Sequence, residues 1–346
     1  MKSLLVLFGL LATVSFASAF NAELFYNYYC QSYTYNNVNT VQCGQFTLSQ
    51  KDAVAFQNEA FVISNATNVL LSGCSFETFN ENIINKFPNA TNINIERCSM
   101  NLNNNHSTIS KVNTVLKSLT ILGSNIYVNS NVTSFGYLTG LTSLAIRVSF
   151  LENYAIENSF FANNTNLVYL EISKVQIFSI DSNAFYNLQN LQTVNITETA
   201  IPILPQGLFS NNRKLQNVLM NNNHIEYLPL PFFPPSVVNI QLSHNILEVI
   251  SAQTFKGLSN LSYLDLSENS ISVFSNQALA STQNLNYLDL HNNQISKFDR
   301  KLFTSVKYLK SLYLYNNNYT TLPEDIFDDL AQLGVVIVNP INYPYL

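Results

Sequence analysis

Four histidines, four cysteines and two aspartates 24 residues apart are the residues of this chain best suited to chemistry. Hydrolysis or group transfer needs titratable side chains that converge on one pocket. His106, His224, His244 and His291 fall into no metal-ligand spacing, and no glycine-rich phosphate loop or nucleophile motif accompanies them. Asp265 and Asp289 could form an acid/base pair, but each sits in the phrase Leu-Asp-Leu, whose recurrence reads as a solvated face. The sequence therefore points to binding, with no catalytic residue, no cofactor and no metal.

Composition narrows the partner. Charged residues make up 11 % of 346 and the net charge is −5, against roughly 25 % charged in an ordinary soluble domain. That balance argues against nucleic acid and anionic membrane. Lys2, the apolar run Leu4 to Phe16 and Ala17-Ser18-Ala19 read as a signal peptide over 1–19, too short to span a bilayer. The expectation is a secreted, extracellular glycoprotein with no membrane insertion. Sequons at Asn65, Asn89, Asn105, Asn131, Asn163, Asn195, Asn260 and Asn318 suit that compartment. So does a disulfide between Cys30 and Cys43 within a cap over 20–65. Closing that loop stabilises by about 3 kcal/mol in the chain-entropy treatment.

The elements that would position any binding residues are written in a repeat. Leu261-Ser-Tyr-Leu-Asp-Leu-Ser-Glu-Asn-Ser-Ile271 returns as Leu285 to Ile295, 24 residues later. Such a phrase marks a leucine-rich repeat solenoid. With its first apolar residue as position 1, about twelve repeats start at Ala66, Ala90, Leu116, Leu141, Leu167, Leu191, Leu215, Val237, Leu261, Leu285, Leu309 and Leu333, and the array runs over 66–346. Apolar residues at positions 4 and 6 alternate as in a half-buried strand. The expected fold is an α/β solenoid, a horseshoe. A curved parallel β-sheet lines its concave face, and its convex side is mostly irregular or short-helical. Phe185, Phe209, Phe233, Phe255, Phe303 and Phe327 should form a stacked core column, with Leu279 replacing one member. Asn223, Asn245, Asn269, Asn293 and Asn317 at position 9 should stack and bond to their own and adjacent turns. Cys74 and Cys98 share that position in consecutive repeats, which leaves buried thiols and a disulfide both open.

Positions 2, 3, 5, 7 and 8 line the concavity. Toward the C-terminus they supply Tyr263, Asp265, Tyr287, Asp289, His291, Tyr313 and Tyr315, a set suited to a protein ligand and equally to a plain sheet surface. A glycan on Asn195 at position 5 would split the binding surface or restrict it to the C-terminal half. After Leu333 the last strand offers an open edge that either the tail covers or a second copy docks on, giving a homodimer.

The register resembles the typical class of extracellular animal leucine-rich repeats. The Tyr28-Tyr-Cys…Gln-Cys43 cap is similar to secreted arthropod proteins in the style of Toll-like ectodomains and insect leucine-rich immune proteins. The chain lacks their C-terminal cysteine cap, membrane helix and coiled coil. The resemblance implies extracellular recognition of innate-immune or receptor-like kind. A self-associating matrix protein and an extracellular enzyme inhibitor are the alternatives.

Overall fold

The computed structural model describes residues 30–35, 38–44, 47–48, 66–76, 81–101, 113–127, 135–148, 154–323, 325–328, 330 and 334–338. The expected signal peptide and the tail beyond 338 lie outside them. One sheet of fourteen strands organises the chain. Its first two strands, Cys30–Tyr35 and Val38–Gly44, form an antiparallel pair, and every later pairing is parallel. Position 3 stays in register throughout, from Asn68 opposite Asn92 to Tyr263 opposite Tyr287 and Ser311 opposite Val335. Each turn of the solenoid therefore contributes one strand at one fixed phase. A slip of one residue would turn the buried leucines outward.

A left-handed residue follows most of the strands of this sheet. Position 8 has positive φ in Arg97, Lys174, Glu198, Asn222, His244, Glu268, Asn292 and Asn316, and in Gly73 and Gly123. The turn keeps its hydrogen bond to the next repeat: Glu268 N–H donates to His291 C=O at 3.0 Å and Asn292 N–H to Tyr315 C=O at 3.0 Å. Gly and Asn suit this conformation, whereas other residues pay about 1–2 kcal/mol for it.

Behind the turn the asparagine ladder forms as the pattern requires. Asn269 Nδ2 donates to Leu242 C=O (2.9 Å), Leu266 C=O (3.1 Å) and Ser267 C=O (3.0 Å), while its Oδ1 accepts Leu247 N–H (3.0 Å). Asn245, Asn293 and Asn317 repeat the arrangement. In earlier repeats smaller groups take the place: Thr199 N–H and Oγ1–H both donate to Asn223 Oδ1, and Cys74 N–H donates to Cys98 Sγ at 3.2 Å. Cys74 and Cys98 are buried thiols. A second amide row runs just before the strands, where Asn166, Asn190, Asn260 and Asn284 each donate to a carbonyl of the preceding turn.

The convex half of the core is aromatic. Phe161, Phe185 and Phe209 follow one another at 6.0 and 5.9 Å between ring centroids, and Phe233 and Phe255 at 6.3 Å. Helix is nearly absent among the described residues, which hold Glu81–Asn85 and a single 3₁₀ turn, Arg300–Leu302. The rest returns through tight turns and small lateral ladders such as Val249–Ile250 on Val273–Phe274. Because Leu279 already occupies one place in the column at 0 % exposure, Phe209→Leu should cost only about 1 kcal/mol. Chemical denaturation checks this, with Phe178→Ala (71 % exposed) expected within about 0.5 kcal/mol of the parent.

Candidate functional site on the concave sheet

Position 3 of two adjacent strands brings Tyr263 and Tyr287 face to face, with centroids 4.2 Å apart and planes inclined by 5°. Tyr313, at position 5 of the next strand, follows at 5.4 Å and 44°. Further along the strands, His291 and Tyr315 at position 7 stack at 4.6 Å and 10°. Between the two aromatic groups lies Asp289, 6 % exposed. Its Oδ2 accepts Tyr287 O–H at 3.1 Å, and its Oδ1 accepts His291 N–H at 3.0 Å and lies 2.6 Å from His291 Nδ1. Asp265, one strand back, is held by Ser267 N–H (3.0 Å) and Ser267 Oγ–H (2.7 Å). Glu268 closes the group: Asn292 donates to its Oε1, and His291 Nε2 lies 3.6 Å from the same oxygen. All seven residues singled out from the sequence thus share one surface.

The electrostatics limit what this surface does. Burial first, and then the Asp289 carboxylate, hold Tyr287 well above the ordinary phenol value. Burial first, and the Asp265 carboxylate with it, also raise Tyr263, against an opposing contribution from its neighbour Tyr287. Burial, Asp289 and Glu268 raise Tyr315. These phenols are therefore neutral donors and apolar faces rather than bases. The second nitrogen of His291 lies 3.6 Å from a Glu268 carboxylate oxygen. Among the described residues no group of three acidic, His or Cys side chains could hold a metal ion.

A second polar cluster occupies the same face and begins in the Leu141 repeat, five repeats before the Leu261 repeat that opens the first. Arg147 clamps Glu171 with Nε on Oε1 (2.5 Å) and Nη2 on Oε2 (2.7 Å), and Tyr169 O–H (2.6 Å) and Ser173 Oγ–H (3.0 Å) complete the carboxylate's shell. Burial alone would raise the pKa of Glu171; the bonds from Arg147, Tyr169 and Ser173 outweigh it and hold the carboxyl below its ordinary value. Reading the sequence by position missed Arg147. The signal was available, since an Arg at position 7 lies one repeat before a Glu at position 5. A carboxyl with a depressed folded pKa stabilises above its unfolded value, and that contribution is lost as pH falls through the folded value. Arg147→Ala should therefore destabilise by about 1–2 kcal/mol at pH 7, less than for a fully buried pair because the arginine side chain is 45 % exposed. Thermal melts of parent and variant should differ at pH 7 and converge only as pH falls below the ordinary carboxylate range.

Asn195 sits beside this cluster, directly opposite Glu171 in the sheet, and its Oδ1 is buried with no hydrogen-bond partner. Asn89, Asn163, Asn260 and Asn318 are exposed, while Asn65, Asn105 and Asn131 lie outside the described residues. Cys30 lies opposite Cys43 in the antiparallel pair.

Comparison with known proteins agrees with this geometry. A leucine rich repeat model matches residues 235–295 and 283–335, and a BspA type leucine rich repeat region model of 6 copies matches 133–234. This chain is a leucine-rich repeat protein. No curated protein sequence matches it. Among solved structures, an internalin (InlF) of Listeria monocytogenes superposes on this repeat protein with a TM-score of 0.60 at 19 % identity, covering 87 % of this chain and 81 % of the other. A chain of the glycosylated Toll–Spatzle complex of Drosophila gives 0.61 at 17 % identity over 87 % of this chain and 47 % of that one. The TLR13–ssRNA13 complex gives 0.58 at 19 % over 80 % of this chain and 47 % of that one. The repeat protein spans about half the length of these last two chains. At such identities the likeness is one of fold.

Proposed function

We propose that this leucine-rich repeat protein is a secreted recognition module that binds a protein partner on the C-terminal half of its concave sheet. The observation that carries the reading is the ordered aromatic and acidic surface built from Tyr263, Asp265, Tyr287, Asp289, His291, Tyr313 and Tyr315. Aromatic side chains fixed by their neighbours lose little entropy on binding and are the usual anchors of interfaces. The Toll–Spatzle neighbour, described as a hub in development and innate immunity, supports extracellular recognition of that kind. A protein is favoured over the single-stranded RNA of the TLR13 neighbour, because phosphates would face carboxylates on this surface. The layout proposed with it is a signal peptide over 1–19, a cap over 20–65 and the array over 66–346. Directly opposed residues of an antiparallel pair stand about 4.5–5.5 Å apart, within disulfide reach, which favours a Cys30–Cys43 bridge in the cap. Exposed sequons at Asn89, Asn163, Asn260 and Asn318 fit glycosylation. A second reading, self-association through the last described strand, rests on Val335 and Ile337, which are 43 % and 42 % exposed there.

The test is capture from the protein's own extracellular fluid by the full secreted chain and by a Tyr263→Ala, Tyr287→Ala, Tyr313→Ala variant. A stoichiometric protein partner bound more than about 100-fold more weakly by the variant is the expected result. Recovery of the bait alone, with a mass in sedimentation that grows with concentration, would replace recognition by self-association.

A further inference from the structure

We infer that the partner docks through an extended cationic segment, one whose arginine or lysine side chains reach Asp265, Glu268 and Asp289 across the aromatic surface. The inference rests on the concave-face reading above and adds the partner's chemistry to it. From the Leu191 repeat to the Leu309 repeat, positions 3, 5, 7 and 8 hold Glu198, Asp265, Glu268 and Asp289 and not one lysine or arginine. Asp265 and Asp289 are register partners on neighbouring parallel strands, which stand about 4.8 Å apart. Like charges directly opposed on a sheet oppose folding. Among the described residues no Lys or Arg forms an ion pair with either. Several strands earlier on the same sheet, the Arg147–Glu171 pair shows a carboxylate neutralised within the fold. The C-terminal carboxylates instead are fixed mainly by neutral groups, by Ser267 on Asp265, Tyr287 on Asp289 and Asn292 on Glu268, and the one ionisable neighbour paired with them is His291, between Asp289 and Glu268. Such fixing sets their direction, and a single imidazole cannot offset three carboxylates.

The aromatic residues complete the complementarity. The Tyr263–Tyr287 stack lies on one side of Asp289 and the His291–Tyr315 stack on the other. A guanidinium set between them meets carboxylate oxygens and ring faces together, and a lysine stem packs on the same rings. Extended chain spaces same-side residues by about 6.6–6.8 Å, so basic residues at alternate positions reach carboxylates on successive strands. Lys310, at position 2, stands at the margin of the strip.

The probe is a 12-residue Arg-Ser-repeat peptide titrated against the full secreted chain, with its Glu-Ser counterpart and single-stranded RNA of matched length alongside. Binding of the arginine peptide alone is expected, weakening as salt rises. The Asp265→Asn, Glu268→Gln, Asp289→Asn variant should bind about 100-fold more weakly. A Glu157→Gln, Glu226→Gln, Glu248→Gln variant removes the same charge from exposed sites elsewhere and should bind like the parent. Equal weakening by both variants, binding of RNA, or no binding of the arginine peptide would each overturn the inference. Should the first variant melt early, the contrast between the two peptides on the parent chain decides. If a captured partner is lost with the tyrosine variant yet retained by the carboxylate variant, the concave-face reading stands and the cationic segment falls. A captured partner indifferent to the tyrosine variant overturns the reading itself.

Discussion

Gly140→Ala is expected to destabilise the protein by more than about 3 kcal/mol. A Cβ on Gly140 would stand 2.2 Å from the Thr114 carbonyl oxygen, 2.5 Å from its carbon and 2.9 Å from the Leu116 oxygen. All three are backbone atoms, so no side chain can swing aside. Yielding would mean separating two turns of the solenoid here, where Gly140 N–H bonds Asn113 C=O and Thr142 N–H bonds Lys117 C=O. Gly257→Ala is the contrast. Its φ is +83° and nothing lies within 4 Å of a new Cβ, so the change should cost only about 1–2 kcal/mol of backbone strain. Urea denaturation of the two variants separates steric from conformational cost. Equal losses would contradict the close approach at Gly140.

The second large effect concerns the asparagine ladder. Asn269→Asp keeps shape and volume but replaces the donor nitrogen by an oxygen aimed at Leu242, Leu266 and Ser267 carbonyls. The buried carboxylate then meets three acceptors and no cation, and a loss of about 3–5 kcal/mol at pH 7 is expected. Asn269→Ala should cost less, about 2–3 kcal/mol, chiefly the orphaned Leu247 N–H. The two are distinguished by pH. An unpaired buried carboxyl has a raised pKa, so the Asp variant binds a proton on folding and should recover stability as pH falls from 7 toward 5. The Ala variant should show no such recovery. Parallel melts at the two pH values would refute the ladder geometry if the Asp variant fared as well as the parent at pH 7.

Much of this was legible before any coordinates. Apolar residues at positions 4 and 6 and asparagine at position 9 are each dictated by burial or backbone satisfaction, so their recurrence mapped directly onto strands, core and ladder. The seven concave residues were found the same way, since alternation alone decides which face of a strand a side chain takes. What escaped was whatever depends on contact between repeats at different positions. The Arg147–Glu171 clamp runs diagonally from position 7 to position 5, and a reading by columns does not look along diagonals. Gly140 escaped because the residue before the strand is elsewhere Asn166, Asn190 or Asn260, and only the close approach of Thr114 excludes a side chain here. The left-handed turns were half visible in Gly73, Gly123, Asn222, Asn292 and Asn316, but Lys174, His244 and Glu268 adopt the same φ. There the ladder hydrogen bond of the turn overrides residue preference.

The ladder also governs how an array of this kind can change length. Asn269 binds the turn before it in the same way as Asn293 does, so removal of residues 261–284 would let Asn293 meet the Leu242 carbonyl and leave backbone bonding and core column continuous. Any step other than a whole turn would break both. Tyr287, however, would then stand over Asn239 rather than Tyr263, and the paired rings would be gone. Whole turns are thus interchangeable as scaffold and individual as surface: the architecture tolerates duplication and loss in units of one repeat, while recognition depends on which two turns happen to be neighbours.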